Sequence, residues 1–293
     1  MGVLASIIDR SISGSFSSDM FFNIRGGAFR YCKNLTSVSF PNAISIGSNA
    51  FDSCSKLTSV SFPVATSIGE YAFQSCKGLT KVTDVFFPEV TSIGSYAFQG
   101  CSGLIEVSFP NATSIDMYAF YSCKGLTSVS IPEATSIGDY AFYSCKGLTE
   151  VSFPNATSIG SDAFYSCSGL TSVSIPNATS IGSKVFYNCT SLTSVSFPNA
   201  TIIGMYAFQG CSGLTEVSFP NATSIYSNAF QSCSSLTTIY VGTNTSKVCT
   251  LSSTSAFGNC TNLANIYVPA SLVNSYKSAT NWSSYADKIK ATP

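Results

Sequence analysis

Apolar positions return every 22 residues along most of this chain. In one copy Phe120 is followed at three-residue intervals by Cys123, Leu126 and Val129, and the next copy begins at Phe142. A fixed period of this length predicts stacked structural repeats, because one copy is too short to bury its own apolar face. The phenylalanines at the copied position are Phe29, Phe51, Phe73, Phe98, Phe120, Phe142, Phe164, Phe186, Phe208, Phe230 and Phe257.

Each copy contains one short segment of alternating polarity, which predicts a strand. Ser128 and Ser130 alternate with Val129 and Ile131, so the serines should face outward and the apolar residues inward. Pro132 then ends the strand, because proline has no N–H for the ladder.

The rest of the copy crosses back, with Ile137 inward and Gly138 expected at a corner with a positive φ. Two intervals break the period. One copy has 25 residues, with the surplus around Thr83-Asp84-Val85, and another has 27, with the surplus in 242–246. We expect a surface bulge at each insertion.

The array divides the chain into three predicted parts. Residues 1–27 fit the repeat poorly and are interpreted as an N-terminal cap, and 28–269 as a solenoid of about 11 copies. Residues 270–293 lack the pattern, and their apolar stripes predict one or two short helices. This C-terminal cap should cover the edge of the last strand, which would otherwise recruit another chain.

Composition narrows the chemistry. The chain has 14 basic and 14 acidic residues, and this balance argues against a nucleic-acid binder. Histidine is absent, which removes the commonest general base and metal ligand. No apolar run is long enough to span a bilayer, so membrane insertion is not expected. We predict no catalytic residue, no metal site and no cofactor.

The twelve cysteines allow three interpretations. A zinc site needs closely spaced ligands, and no short-spaced pair is present. Disulfides between adjacent copies are geometrically allowed, but equivalent side chains in stacked copies run parallel. Buried thiols packed as small apolar groups are the preferred interpretation. Cys249 lies outside the repeated position, so we expect it to be the cysteine most exposed or most apt to pair.

Other polar patterns have a structural and a functional interpretation. The Asn-x-Ser/Thr triplets could accept glycans, although their place in a repeated Pro-Asn-Ala-Thr turn favours turn chemistry. Glu106, Glu150 and Glu216 lie on outward strand positions, at least about 10 Å apart, which is at or beyond the limit for a glycosidase pair. The triplets begin at Asn111, Asn155, Asn177, Asn199 and Asn221.

The repeated unit Phe-x-x-Cys-x-x-Leu-x-x-Val-x-Phe/Ile-Pro, followed by Thr-Ser-Ile-Gly-x-x-Ala-Phe, resembles the BspA-type leucine-rich repeats. The resemblance covers residues from about 28 to 269. It implies a right-handed leucine-rich-repeat solenoid with a parallel β-sheet on one face and turns or 3-10 segments on the other. It also implies a surface or secreted bacterial protein that takes part in adhesion, or a component related to phage structural proteins.

Tyrosines form the candidate binding site. They vary between copies while the core repeats strictly, so we expect them to be exposed. Tyrosine is favoured at interfaces, and four successive rings would span about 14 Å. The alternative is an aromatic ladder that stacks only on itself. The candidate residues are Tyr121, Tyr143, Tyr165 and Tyr187 after the phenylalanine, and Tyr118 and Tyr140 before the Ala-Phe pair.

The sequence therefore predicts a non-catalytic extracellular or cell-surface module for recognition or adhesion. Its expected partner is a host surface protein, a matrix protein or a glycan, bound without nucleic acid or membrane insertion. The alternative is a structural spacer, such as a stalk or a fibre component without a dedicated ligand.

Overall fold

The computed structural model describes residues 10–82 and 87–293, together with the backbone of 2–4. The chain forms two compact units, Met1–Leu148 and Thr149–Pro293. The insertion predicted around Thr83-Asp84-Val85 lies outside the described residues.

The N-terminal unit contains two sets of parallel strands, and a typical repeat copy contributes one strand to each set. In both sets, paired residues are one copy apart, as in the pairing of Ser37 with Ser59 and of Ser45 with Ser67. The first set is β2 (Ser13–Ser17), β4 (Asn34–Ser39), β6 (Ser59–Ser61), β8 (Lys81–Val82), β10 (Glu106–Ser108) and β12 (Ser128–Ser130). The second set is β1 (Gly2–Leu4), β3 (Phe21–Ile24), β5 (Ser45–Ile46), β7 (Ser67–Ile68), β9 (Ser92–Ile93), β11 (Ser114–Ile115) and β13 (Ser136–Ile137).

The C-terminal unit repeats this arrangement and adds short helices. Its first set of strands is β14 (Glu150–Ser152), β16 (Ser172–Ser174), β18 (Ser194–Ser196), β20 (Glu216–Phe219), β22 (Thr238–Val241), β24 (Asn265–Val268) and β25 (Ile289–Ala291). The second set is β15 (Ser158–Ile159), β17 (Ser180–Ile181), β19 (Ile202–Ile203), β21 (Ser224–Ile225) and β23 (Thr250–Leu251). The helices are the 3-10 segments Thr254–Phe257, Ala270–Leu272 and Trp282–Tyr285, and α1 (Val273–Ser278).

The predicted side-chain alternation is confirmed in the strands. Ser128 and Ser130 are exposed, Val129 between them is half-buried, and Ile131 is buried. Strands this short bury one face against the core and leave a row of small hydroxyls outside. Each unit is therefore a parallel-sheet β-solenoid with the leucine-rich-repeat fold.

Stacked phenylalanines fill the core of each unit. From Phe29 to Phe142 the ring centroids of successive copies lie 5.0–5.4 Å apart and the rings are nearly parallel. From Phe164 to Phe257 the spacing is 5.3–5.6 Å. The distance between ring centroids is close to the spacing between neighbouring strands, so identical residues of successive copies pack directly on each other.

The segment that leads from each strand of the second set to the next strand of the first set forms tight turns, and hydrogen bonds link these turns between copies. Alternate N–H groups point to the next copy: Tyr118 donates to the Asp139 carbonyl at 2.9 Å, and Phe120 to the Ala141 carbonyl at 2.8 Å. The intervening N–H groups close turns within the copy, as when Tyr121 donates to the Tyr118 carbonyl at 3.0 Å. These three backbone N–H groups thus have hydrogen-bond acceptors although the segment is neither a regular helix nor a sheet.

The expected positive φ at Gly138 is wrong. The left-handed residues are non-glycine positions nearby, including Tyr118 with φ 57° and Tyr140 with φ 56°. Gly138 is required because a Cβ there would lie 2.6 Å from the backbone of Asp116 and Met117 in the preceding turn. Close stacking of copies, and not local turn geometry, selects the glycine.

The C-terminal cap differs in part from the prediction. The short helices are present, but strand β25 covers the edge of β24 and pairs with it in parallel. Ile289, expected on a helical stripe, is buried in that strand. A strand satisfies the exposed N–H and C=O groups of the edge directly, which helices cannot do.

The first described residues already follow the repeat. β2 pairs in parallel with β4, and β3 pairs with β5. The boundary of the N-terminal cap at residue 27 and that of the C-terminal cap at residue 270 stay predictions.

Replacing Phe120 by alanine should destabilise the protein by about 3–5 kcal/mol, because it opens a cavity between Phe98 and Phe142. Phe120→Leu should cost clearly less, since it retains most of the buried volume. Urea unfolding followed by circular dichroism measures both. Equal midpoints for Phe120→Ala and the parent would contradict the stacked core.

A pair of glycine variants tests the close approach of the copies. Gly138→Ala should be more destabilising than Gly182→Ala, by about 1–3 kcal/mol. The two glycines have the same place in the repeat, but the nearest atom to a Cβ lies at 2.6 Å for Gly138 and 3.3 Å for Gly182. Thermal unfolding of both variants makes the comparison, and an equal loss at both sites would show that turn geometry decides.

Candidate recognition surface

Tyrosines preceding the Ala-Phe pair form a continuous stack in the N-terminal unit. The centroids of Tyr71 and Tyr96 lie 4.5 Å apart, and those of Tyr96 and Tyr118, and of Tyr118 and Tyr140, both lie 4.6 Å apart. The backbone at each of the four is left-handed, with φ between 56° and 58°. This repeated conformation places every ring at the same height above its own turn.

Tyrosines following the phenylalanine form a second, adjacent stack. The centroids of Tyr121 and Tyr143 lie 4.9 Å apart. Tyr121 lies 5.6 Å from Tyr118, and Tyr143 lies 5.9 Å from Tyr140. Four of the predicted site residues therefore form a two-by-two cluster, which we call the tyrosine cluster: Tyr118, Tyr121, Tyr140 and Tyr143.

The other two predicted residues lie in the C-terminal unit. Tyr165 and Tyr187 stack with their centroids 4.7 Å apart. Asp162 and Lys184 occupy the positions that hold tyrosine in the N-terminal unit, so these rings have no second row beside them. This pair belongs to the C-terminal unit and is not part of the tyrosine cluster, which belongs to the N-terminal unit.

Packing changes the acidity of these phenols. Partial burial raises the pKa of Tyr118, and the neighbouring Tyr140, Tyr96 and Tyr121 raise it further. Partial burial also raises the pKa of Tyr165, with Tyr187 as the next cause. The hydroxyls of Tyr118 and Tyr165 therefore stay protonated well above neutral pH and can donate hydrogen bonds.

Stacking determines which part of each ring can meet a ligand. Tyr96 and Tyr118 have a ring against each face, so only their edges and hydroxyls point away from the stack. All four rings of the tyrosine cluster are half-buried. The cluster can therefore offer hydrogen-bonding hydroxyls on an apolar base, and it cannot sandwich a planar ligand between neighbouring rings.

Glutamines replace the second row of tyrosines in other copies. The Gln74 amide donates to the Gln99 side-chain oxygen at 2.8 Å, which makes a short amide ladder at the position occupied by Tyr121. Glutamine and tyrosine are thus alternative ways to fill this position. Any recognition specific to tyrosine must come from the ring and its hydroxyl.

The prediction of buried thiols is confirmed for the repeated cysteines from Cys32 to Cys233, whereas Cys260, the last of them, is half-exposed. Each inner thiol donates to the phenylalanine carbonyl of the preceding turn, as when the Cys123 Sγ lies 3.1 Å from the Phe98 oxygen. Burial raises the pKa of Cys54 and Cys101 to about 12. Cysteine suits this position because it is small enough for the core and still donates a hydrogen bond.

The expectation for Cys249 is wrong. It is 1% exposed, and the structure contains it as a thiol. The Tyr276 hydroxyl accepts from the Cys249 N–H at 2.9 Å, and the Trp282 indole donates to the Cys249 carbonyl at 2.6 Å. The C-terminal cap buries it, and the repeat pattern contains no signal for that contact. Cys260 is instead the half-exposed cysteine.

The asparagine triplets serve the turns. The side-chain amides of Asn111, Asn177, Asn199 and Asn221 each donate to the proline carbonyl of the preceding copy at 2.7–3.0 Å. These contacts support the turn interpretation.

Two of the three outward glutamates are exposed, and Glu106, which is half-buried, pairs with Lys81 at 3.2 Å. Among the described residues, no group of three or more His, Cys, Asp or Glu side chains could hold a metal ion.

An open cleft that the sequence did not predict lies beside the cap. It has a volume of about 430 Å³ and is lined by residues 248–252 and by residues 279, 280 and 282. Apart from Cys249, its lining has no ionisable side chain. No signal in the sequence pointed to it, because it depends on how the non-repetitive tail folds back.

Within the described part of the chain, no helix is long and apolar enough for a membrane span.

This arrangement of short parallel strands, tight turns and a core of identical stacked residues defines a leucine-rich-repeat solenoid. The chain belongs to the BspA-type leucine-rich repeat family, whose six-copy model matches residues 22–133, 66–180, 113–237 and 179–289. No curated protein matches the chain.

Two solved structures of bacterial leucine-rich repeat proteins are similar to this chain. A leucine-rich repeat protein from Bacteroides ovatus is 23% identical, with 94% of this chain and 88% of that protein covered and a TM-score of 0.52. A leucine rich cell surface protein from Faecalibacterium prausnitzii is 25% identical, with 92% and 86% covered and a TM-score of 0.44. The first likeness shows the fold. Leucine-rich repeat proteins are typically interaction or surface modules and typically non-enzymatic, and those of the BspA type are typically surface or secreted.

Thiol labelling tests the burial of the cysteines. At pH 8 a chromogenic disulfide reagent should modify only Cys260 in the folded protein, and all twelve cysteines after unfolding. Cys260→Ser should abolish the native reaction and serves as the control. Fast native labelling of Cys249 would contradict its burial.

The same pKa shifts predict loss of stability in alkali. Folding raises the pKa of Cys54, Cys101 and Cys249 from 9.0 to about 12, so the unfolded chain releases these protons first. The free energy of unfolding should be unaffected by these thiols below pH 9.0 and should fall as the pH rises toward 12. Urea titrations across this range measure the slope, and Cys101→Ala should reduce it.

Proposed function

We propose that this chain is a non-catalytic module that recognises a host surface protein, matrix protein or glycan outside the bacterial cell. The observation that carries the proposal is the tyrosine cluster, a patch two rings wide that presents hydroxyls on a half-buried apolar base. Tyrosine contributes large contact area with little side-chain entropy to lose, and it is enriched at protein interfaces. The family to which the chain belongs supports the choice of an interaction module over an enzyme.

The rigidity of the cluster favours recognition. Each ring is packed against at least one neighbour, and its backbone is tied to the next turn, as in the bond from Tyr118 to Asp139. A ligand would therefore meet hydroxyls that are already in place, and little ordering free energy would be lost on binding. An extended ligand, such as a glycan chain or a protein segment, would suit a surface that repeats along the axis.

Self-stacking favours the alternative, a structural spacer. The inner rings have both faces covered, and regular copies can extend a chain without a dedicated ligand. Under this alternative the tyrosines shield the turns, and no soluble partner would depend on them.

Variants copied from the protein's own repeats separate the two functions. Tyr121→Gln with Tyr143→Gln places at each position a residue found there in neighbouring copies, such as Gln99. If the cluster binds, this pair should weaken binding to matrix proteins, mucin glycans or host cells about tenfold or more, measured by biolayer interferometry. The melting temperature should change little.

The matched control removes a second tyrosine pair, on the sheet face. Tyr240 and Tyr267 stack 4.9 Å apart, and earlier copies have serine at their position. Tyr240→Ser with Tyr267→Ser should leave binding intact. Equal losses in both double variants, or no binding across the panel, would reject the tyrosine cluster as the site and favour the spacer.

A further inference from the structure

Lysines collect at one corner of the turns in the N-terminal unit. They follow the repeated cysteine by one or two residues, and no copy has an acidic residue at either position. The equivalent positions of the C-terminal unit hold only serine, threonine, glycine and asparagine. We call this corner the lysine row; it consists of Lys33, Lys56, Lys77, Lys124 and Lys146.

A shallow cavity opens at the start of the row. It has a volume of about 330 Å³ and is lined by Lys33, Ser53, Ser55, Ser75 and Lys77. The two lysines are two copies apart, which is about 10 Å at the backbone. Ammonium groups thus stand on either side of a floor of small hydroxyls.

The one carboxylate close to this cavity is already compensated. Asp52 is 3% exposed and pairs with Arg30 at 2.8 Å. It also accepts a hydrogen bond from the Ser53 hydroxyl at 2.8 Å. Its charge is therefore not available to Lys33 or Lys77, and the mouth of the cavity is positive.

The lysines of the row are exposed and lack carboxylate partners. In the part of the chain that the structure describes, the ion pairs join Arg30 to Asp52 and Lys81 to Glu106, and none involves the row. Lys56 has a hydrogen bond to the Asn34 side-chain oxygen at 3.2 Å. Like charges held this close repel each other, and an anion bound between them would relieve that repulsion.

Glycines hold the spacing of the row. A Cβ at Gly125, which follows Lys124, would lie 2.7 Å from the Ser102 carbonyl oxygen, and one at Gly147 would lie 3.0 Å from the Lys124 oxygen. In these two copies the close approach leaves no room for a side chain, whereas other copies have Asn34, Lys56 or Ser191 at the equivalent position. Lys124 and Lys146 are therefore kept one strand spacing apart, about 4.8 Å at the backbone.

We propose that the lysine row binds an acidic polysaccharide, with its sulfate or carboxylate groups on the ammonium groups and its hydroxyls on the serines. The row is one side chain wide and follows the stacked copies, with a gap at the copy that has Ser102 and Gly103, and this shape fits a single extended chain. This inference concerns a different surface from the tyrosine cluster and does not depend on it.

The surrounding charges favour a polysaccharide over nucleic acid or a membrane. Glu70, Asp116 and Asp139 lie in the same turns, one or two residues before the tyrosines that precede the Ala-Phe pair. The whole chain has zero net charge, whereas nucleic-acid binders usually present a broad basic surface. A duplex or a vesicle is wider than the row and would meet these carboxylates.

Binding of a size-defined heparin oligosaccharide to the full chain, measured by isothermal titration calorimetry at two salt concentrations, tests the proposal. The parent should bind, more weakly at higher salt, and the desulfated oligosaccharide, which keeps only its carboxylates, should bind more weakly than the sulfated one. Lys33→Ser with Lys77→Ser should weaken binding about tenfold or more, since two charge-assisted contacts to the anion are lost. Lys33→Arg with Lys77→Arg should retain it.

A charge-matched control locates the effect. Lys247→Ser with Lys277→Ser removes two exposed lysines from the C-terminal unit and should leave binding unchanged. Three outcomes would overturn the proposal: no binding by the parent, equal losses in the control and the row variants, or tighter binding to a DNA duplex or to phosphatidylserine vesicles. Tyr121→Gln with Tyr143→Gln should keep heparin binding, so this result is separable from failure of the tyrosine cluster.

Discussion

The structure depends on one constraint: every turn must present the same backbone groups at the same height as its neighbours. Alternate N–H groups of each turn donate to carbonyls of the next copy, so a turn of different shape would leave buried donors unsatisfied on both sides. This explains why a chain with little regular helix or long strand keeps so strict a sequence. The backbone pairing then places identical side chains about 5 Å apart, and the phenylalanine stack follows.

The same constraint decides which residues are special. Cysteine is small, apolar and still able to donate, so Cys123 fits in the core and its thiol donates to the Phe98 carbonyl. Glycine is needed at Gly138 because the preceding turn approaches to where its Cβ would be. In contrast, the left-handed positions hold tyrosine, asparagine, aspartate, lysine, serine or glycine in different copies. Core positions are restricted by the neighbouring copy, and corner positions are nearly free.

Free corners are where this protein carries chemical variety. Along the N-terminal unit one corner has tyrosine with nearby carboxylates, the next has tyrosine or glutamine, and the one after the cysteine has lysine. Because copies stack in register, a residue type chosen at one corner becomes a row, and a row is an extended surface by construction. Two different surfaces can therefore sit on one unit with a shared core. The C-terminal unit has the same core but neutral residues at the positions of the lysine row. The core therefore does not require lysine at these surface positions.

Much of this protein could be read from the order of its residues. The period, the inward Phe, Cys, Leu and Val positions, the outward serines and the stop at proline were all predictable, because short-range packing between identical copies leaves a periodic signature. The repeated tyrosine and lysine positions can be recognised in the sequence, and the tyrosines predict a binding site. The pairing of the tyrosines into a cluster cannot be recognised there, because Tyr118 and Tyr121 meet only when the turn closes. Likewise, the burial of Cys249, the strand that ends the sheet and the cleft beside the cap involve non-repetitive segments. For these no second copy records the contact, and only the folded chain brings the partners together.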